Sequence, residues 1–157
     1  MSITNITQVD VRGPRFAAWV TTAVLVATLL ISEFSTARAA ALLGVQAVVF
    51  AVGALFGPRR HPYGLVFARL VAPRLAPPTE REPVAPLQFA QLVGLVFAVI
   101  GVAGFTTAPV VGVIAAAFAL AAAFLNAAFG ICLGCQLYPL IARLRLKPGV
   151  TAELLSK

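Results

Sequence analysis

Four long apolar runs, none carrying a charge, restrict what this chain can become more than any other feature it has. They are Phe16–Ser32, Ala39–Gly57, Leu87–Phe105 and a longer stretch from Val110 to about Gly130. Crossing about 30 Å of hydrocarbon takes roughly 20 residues of helix at 1.5 Å per residue, and each run comes close to that length. Lipid offers no water to backbone N–H and C=O groups, so a spanning segment must satisfy them internally, as a helix does. The strict alternation of a membrane β-strand is missing. Composition agrees: 61% of the 157 residues are hydrophobic and 11% are charged, against about 45–50% and about 25% in a soluble domain. The expected fold class is all-α: a polytopic membrane protein, one domain over residues 1–157, with four transmembrane helices at about 16–32, 39–57, 87–105 and 110–130, paired as two helical hairpins.

The net charge of +7 would suit nucleic acid, but the positions of the charges point elsewhere. Arg12 and Arg15 precede the first run, and Arg59, Arg60, Arg69, Arg74 and Arg81 lie between the second and third. Arg143, Arg145, Lys147 and Lys157 follow the fourth, which leaves only Arg38 in a connection on the opposite side. This asymmetry is the positive-inside pattern of a four-pass protein, with both termini and the 58–86 loop in the cytoplasm and the chain in the cell inner (plasma) membrane. The partner of the basic face is then the anionic surface of the lipid bilayer, with no nucleic acid. Ala37-Arg38-Ala39 resembles a signal-peptide cleavage site, but the first run exceeds the 7–15 residues of a usual h-region, and Glu33 and Arg38 crowd the would-be cleavage region. The first helix is expected to be retained.

Between the runs, Glu33–Arg38 closes the first hairpin and Thr106–Pro109 the second. In the 58–86 loop, Tyr63–Val71 is apolar but too short to span, and with Arg69 and Arg74 at its edge it reads as a short interfacial helix. Pro73, Pro77, Pro78, Pro83 and Pro86 then predict a stiff non-helical linker. Residues 1–15 read as loosely ordered, with Gly13-Pro14 breaking any helix there. Gly94, Gly101, Gly104 and the Ala115–Ala123 stretch allow helices to approach closely. Short matches recur about 73 residues apart: Arg15-Phe16-Ala17 with Gln88-Phe89-Ala90, and Phe56-Gly57 with Phe129-Gly130. A parallel repeat about an axis along the membrane normal would produce them. It would set the sole histidine, His61, and the sole cysteine pair on either side of that axis.

Those cysteines, Cys132 and Cys135, are the candidate catalytic residues, on a segment and tail (131–157) assigned to the cytoplasm. Residues three apart on a helix share a face with Cβ atoms about 5–6 Å apart, which suits disulfide formation. Cytosolic thiols stay reduced, so a CxxC there points to catalysis, redox sensing or metal binding. Val110–Ala142 is too long for one crossing and should break near Gly130 or Gly134, while Pro139 weakens helix around Tyr138. With a break at Gly130, Cys132 falls in the first turn of a new helix, whose dipole stabilises a thiolate; without one it is a sluggish thiol. Arg12, Arg15, Arg59 or Arg60 would add to the effect if folding brings them near. The plainer alternative is two small residues packed against a neighbouring helix.

A zinc site needs four ligands, and Cys132, Cys135 and His61 are one short within a chain. His61 reads as an exposed member of a basic loop. Asn126, Gln46 and Gln91 read as interhelical hydrogen-bonding glue. No ionisable residue lies within a run, which argues against an ion or proton pathway. Phosphate loops, hydrolase triads and dinucleotide fingerprints are missing. No cofactor is expected: the sequence displays no quinone, haem or flavin site, so a partner must supply or accept electrons.

Three segments, Val9–Phe16, Pro86–Gln91 and above all Phe129-Gly130-Ile131-Cys132-Leu133-Gly134-Cys135-Gln136-Leu137-Tyr138-Pro139, resemble the bacterial membrane-protein family catalogued as domain of unknown function 4395. The resemblance covers nearly the whole chain. A common family form has an aromatic residue at the place of Gln136, which touches neither cysteine. It implies a small multi-pass inner-membrane protein of unestablished activity, with members often encoded beside thioredoxin-like and sulfurtransferase proteins. The expected function is thiol-disulfide or sulfane-sulfur exchange with such a soluble partner, with Cys132 attacking and Cys135 resolving. The alternative is a non-enzymatic carrier or docking platform. A second copy of the chain is also an allowed partner.

Overall fold

The computed structural model describes residues 8–154. The expectations for residues 1–7 and 155–157 lie outside that range. A short strand β1 (Gln8–Asp10) leads into α1 (Arg12–Ser32), and a tight turn leads to α2 (Thr36–Phe56). Next come α3 (Pro62–Val66), a π-helical turn (Phe67–Val71) and a 3-10 turn (Ala72–Arg74). Strand β2 (Arg81–Pro83) enters α4 (Val84–Thr107), followed by α5 (Pro109–Phe129) and α6 (Leu133–Leu154). Helices α1, α2, α4 and α5 are the four spans, each long and apolar enough to cross a membrane. At most 39% of any span is buried inside the bundle, so most of its surface needs an apolar solvent.

Three expectations change. The Gly13-Pro14 pair does not exclude helix, because α1 already begins at Arg12. Pro14 falls in the first turn, where its missing N–H had no intrahelical partner to lose. Asp10 also holds the entry, its carboxylate accepting from the Arg12 backbone N–H (3.0 Å) and guanidinium (2.9 Å). The segment after the fourth span is a further helix, α6, which runs through Pro139. Proline there removes one i→i−4 bond, the one that would have reached the Cys135 carbonyl. Finally, the interfacial segment forms helical turns but does not lie free: Phe67 is buried and its ring meets Phe16 at 5.8 Å.

The two halves are built alike. Moving Thr36–Phe56 on by 73 positions gives Pro109–Phe129, and moving Gln8–Asp10 gives Arg81–Pro83. Those two strands pair antiparallel with Val9 opposite Glu82, themselves 73 apart, as a twofold axis between them requires. Packing follows the same exchange. Helix α1 lies against α2 and α5, α4 lies against α5 and α2, and α3 sits on α1 as α6 sits on α4. Both second helices end on a glycine at positive φ, Gly57 (80°) and Gly130 (69°). An L-residue pays for that region, which is why glycine ends both spans.

The core between helices is made of Leu25, Leu43, Phe50, Ala98, Phe105 and Ala116. Glycine permits the closest approaches: a Cβ on Gly104 would collide with the Gly112 backbone, and one on Gly101 with the Leu43 side chain. Gln46, fully buried, is interhelical glue as expected. Its amide donates to Thr21 Oγ1 on α1 at 3.5 Å, and its carbonyl accepts from the Tyr63 hydroxyl at 2.8 Å. This chain of bonds ties α1, α2 and α3 together.

Candidate functional site

One end of the bundle gathers the start of α1, the end of α2, α3, both strands and the junction of α5 with α6. Cross-links confirm the grouping: Arg59 donates to the Gln8 carbonyl at 3.3 Å and Arg12 to that of Ala76 at 3.0 Å. At Gly130 the chain turns out of α5, its N–H bonded to the Asn126 carbonyl at 3.0 Å, and α6 starts at Leu133. Cys132 therefore occupies the N-cap of α6, and Cys135 the third helical position. Free N–H groups at a helix start need an acceptor, commonly an oxygen of Ser, Thr, Asp or Asn. Here the acceptor is sulfur: the Cys135 N–H donates to Cys132 Sγ at 3.3 Å.

The two thiols consequently differ. The Cys135 thiol beside it and the N–H groups of Cys135 and Gly134 hold the Cys132 thiol below its usual range, against the opposing pull of burial and Glu82. Cys135 is pushed up by the neighbouring Cys132 sulfur, by burial and by the negative charges of Cys132 and Glu82. Cys132 is buried and Cys135 half-buried, and both are free. Glu82 is itself raised by burial, partly offset by Arg15. Of the four arginines considered from sequence, none acts on the cysteine pair directly; Arg15 lies beside the Gly130 turn, its guanidinium carbon 3.9 Å from where a Gly130 Cβ would stand, and acts on Glu82. Arg12 is paired with Asp10 and Arg60 lies over the Phe56 ring.

Below Cys132 is a half-open cavity of about 260 Å³. Residues 73 apart line it in pairs, Ala18 with Gln91, Thr21 with Gly94 and Phe50 with Ala123, so it straddles the axis relating the halves. His61 lines it too, and this corrects the exposed-loop reading: His61 is only 2% exposed. The turn at Gly57 and the extended backbone that Pro62 imposes on His61 (ψ 129°) send the ring back over α2, onto Gly53. Neither ring nitrogen has a hydrogen-bond partner, nor does Gln91 Oε1 beside it. Asn126 also lines the cavity. Nothing in composition marked His61 and Gln91 as neighbours; the repeat offset, which set His61 opposite the cysteine segment, was the only sequence signal. Among the described residues no group of three or more His, Cys, Asp or Glu side chains could hold a metal ion.

Burial holds the His61 pKa down to about 4 from 6.5, the Gln91 side chain beside it acting in the opposite direction. The unfolded chain then binds a proton that the folded chain refuses, so stability rises with pH between these values. This contribution, about 3 kcal/mol at full size, is present above pH 6.5 and is lost as pH falls toward 4. Thermal melts of detergent-solubilised protein should show a fall in Tm across that window, flattened in His61→Phe; an equal fall in both proteins would count against a neutral buried His61.

The chain belongs to the family described as a domain of unknown function, DUF4395, whose sequence profile matches residues 9–143. The match takes in β2, all of β1 but Gln8, His61 and both cysteines. No curated protein and no solved structure matches the chain.

Proposed function

We propose that this protein performs thiol-disulfide or sulfane-sulfur exchange with a soluble thioredoxin-like or sulfurtransferase partner at the cytoplasmic face of the inner membrane. The observation that carries this reading is the sulfur cap of α6. A thiolate at a helix start gains from the dipole and from the N–H groups that point at it, and thiolate is the reactive form.

Exposure divides the roles differently from the order expected from sequence. A large partner reaches the half-buried Cys135 before the buried Cys132. With the pair oxidised, a partner thiolate attacks the Cys135 sulfur, the bond between the two cysteines breaks and Cys132 leaves as the stabilised thiolate. A lower-pKa thiol is the better leaving group. The partner's second thiol then closes its own disulfide and releases Cys135, so two electrons have passed to this protein. In the sulfur-transfer form, Cys132 thiolate takes the outer sulfur of a small persulfide, becoming the persulfide and freeing a thiolate.

Trapping tests the reading. Given the partner in its disulfide form, the Cys132→Ser protein should accumulate a mixed disulfide through Cys135, one partner sulfur leaving as thiolate, because the Cys132 thiolate that would displace the partner is gone; Cys135→Ser should trap soluble protein less. If neither variant traps a partner and both leave the cellular phenotype of the gene intact, exchange is not the function, and a carrier or docking role takes its place.

A further inference from the structure

The dithiol is only one wall of the cavity beneath it. We propose that this cavity binds the ring of a lipid-soluble quinone and that the quinone takes two electrons from Cys132 and Cys135. This inference rests on the thiol reading and extends it by naming the acceptor.

Four features of the cavity select such a ligand. Its volume, about 260 Å³, is below the 300–1,000 Å³ of sites for drug-sized molecules: room for one substituted ring, with any long tail left outside. It is open rather than sealed, and its wall includes Phe118, 61% exposed on the lipid-facing side of α5, so a tail can pass into the bilayer. Phe50, Phe97 and Phe118 offer flat apolar surface to a ring. Three buried polar atoms at the site lack partners: both nitrogens of His61 and Oε1 of Gln91. Leaving such atoms unpaired is unfavourable, so a ligand that pairs them is favoured. A quinone carbonyl accepts from the imidazole N–H, and a quinol hydroxyl can donate to Gln91 Oε1, so the same wall serves both redox forms. A lipid acyl chain offers no polar partner to any of the three. Cys132 lines the cavity and Cys135 does not, which sets one sulfur toward the membrane ligand and the other toward soluble protein.

The chemistry balances. Cys132 thiolate adds to a ring carbon, forming a C–S bond and moving an electron pair onto a carbonyl oxygen held by the His61 N–H. Cys135, on losing its proton, attacks the Cys132 sulfur; the S–S bond forms, the C–S bond breaks and its electron pair stays with the ring. The Cys135 proton and one taken up from water, replacing the proton Cys132 had already given up on ionising, end on the two oxygens, giving quinol and a disulfide, which a soluble dithiol partner reduces again.

The test uses full-length protein in nanodiscs, reduced and then freed of reductant, mixed with a short-tailed ubiquinone analogue and followed by the loss of quinone absorbance. One quinone should be reduced per chain, with none reduced by Cys132→Ser. His61→Phe, which keeps bulk and removes the donor, should weaken quinone affinity about tenfold, the size of one hydrogen bond. Ala122→Phe, which fills the cavity from α5, should block quinone reduction while its dithiol still forms the mixed disulfide with the disulfide form of a thioredoxin, and that retained reaction shows it is folded. If wild type forms the mixed disulfide but reduces no quinone, or if Ala122→Phe reduces it at the wild-type rate, the quinone site is wrong and exchange stands. If wild type does neither, both readings fall together.

Discussion

With Cys132→Ser, turnover of thiol exchange falls to the uncatalysed background, a loss on the order of 10³-fold or more, as expected when the reacting atom itself is removed. Cys135→Ser behaves differently. Its backbone N–H still donates to Cys132 Sγ, so the remaining thiol keeps much of its reactivity but has no partner to resolve what it forms. That variant should accumulate adducts of small thiols at Cys132, visible by intact-protein mass spectrometry, with no net turnover. Equal, partial losses in the two variants would mean that the cysteines are packing residues and nothing more.

Gly134→Leu is the second change of large effect, and it touches neither sulfur. A Cβ at this position would lie 2.5 Å from the Ala90 Cα on α4. Backbone cannot yield as a flexible side chain can, so α6 must move off α4. Overpacking of this kind costs typically 1–3 kcal/mol, and the displaced helix start no longer holds Cys132 over the cavity. Tm should drop by several degrees, and the reactivity of Cys132 should return to that of an ordinary thiol. Ala90→Gly should rescue Gly134→Ala only in part, since it removes the Cβ contact and leaves the Cα one. Independent, additive effects of these two substitutions would show that the α4–α6 contact does not position the dithiol.

The spans were legible because lipid makes a blunt demand: about 20 residues, no charge. Their ends were less so. Residues such as Arg12 and Pro14 extend α1 outward for reasons local to its first turn, and hydropathy does not register them. The strands were invisible, since Gln8–Asp10 and Arg81–Pro83 are too short for any alternation to show. They pair only because the halves are related. Helix α6 was legible only as one of two alternatives after Gly130, and its run through Pro139 was not, although one lost bond is tolerated where packing on α4 supports the helix. The repeat was faintly legible in matches such as Phe56-Gly57 with Phe129-Gly130, and these turned out to mark equivalent helix ends. Cys132 and Cys135 declared themselves by spacing. That Cys132 caps a helix, and that His61 is buried behind it, depends on the turns at Gly130 and Gly57, which carry the chain back over the bundle.

All of the chemistry depends on the N-cap sulfur giving up its proton more readily than Cys135 does. The most direct test is the pH dependence of alkylation by iodoacetamide, a reagent small enough to reach a buried thiol, with each cysteine quantified by mass spectrometry in the folded, membrane-embedded protein. Cys132 should react with a midpoint below the ordinary thiol value of about 8.5, and Cys135 only above it. Midpoints near the ordinary value for both, or the lower one on Cys135, would contradict the account.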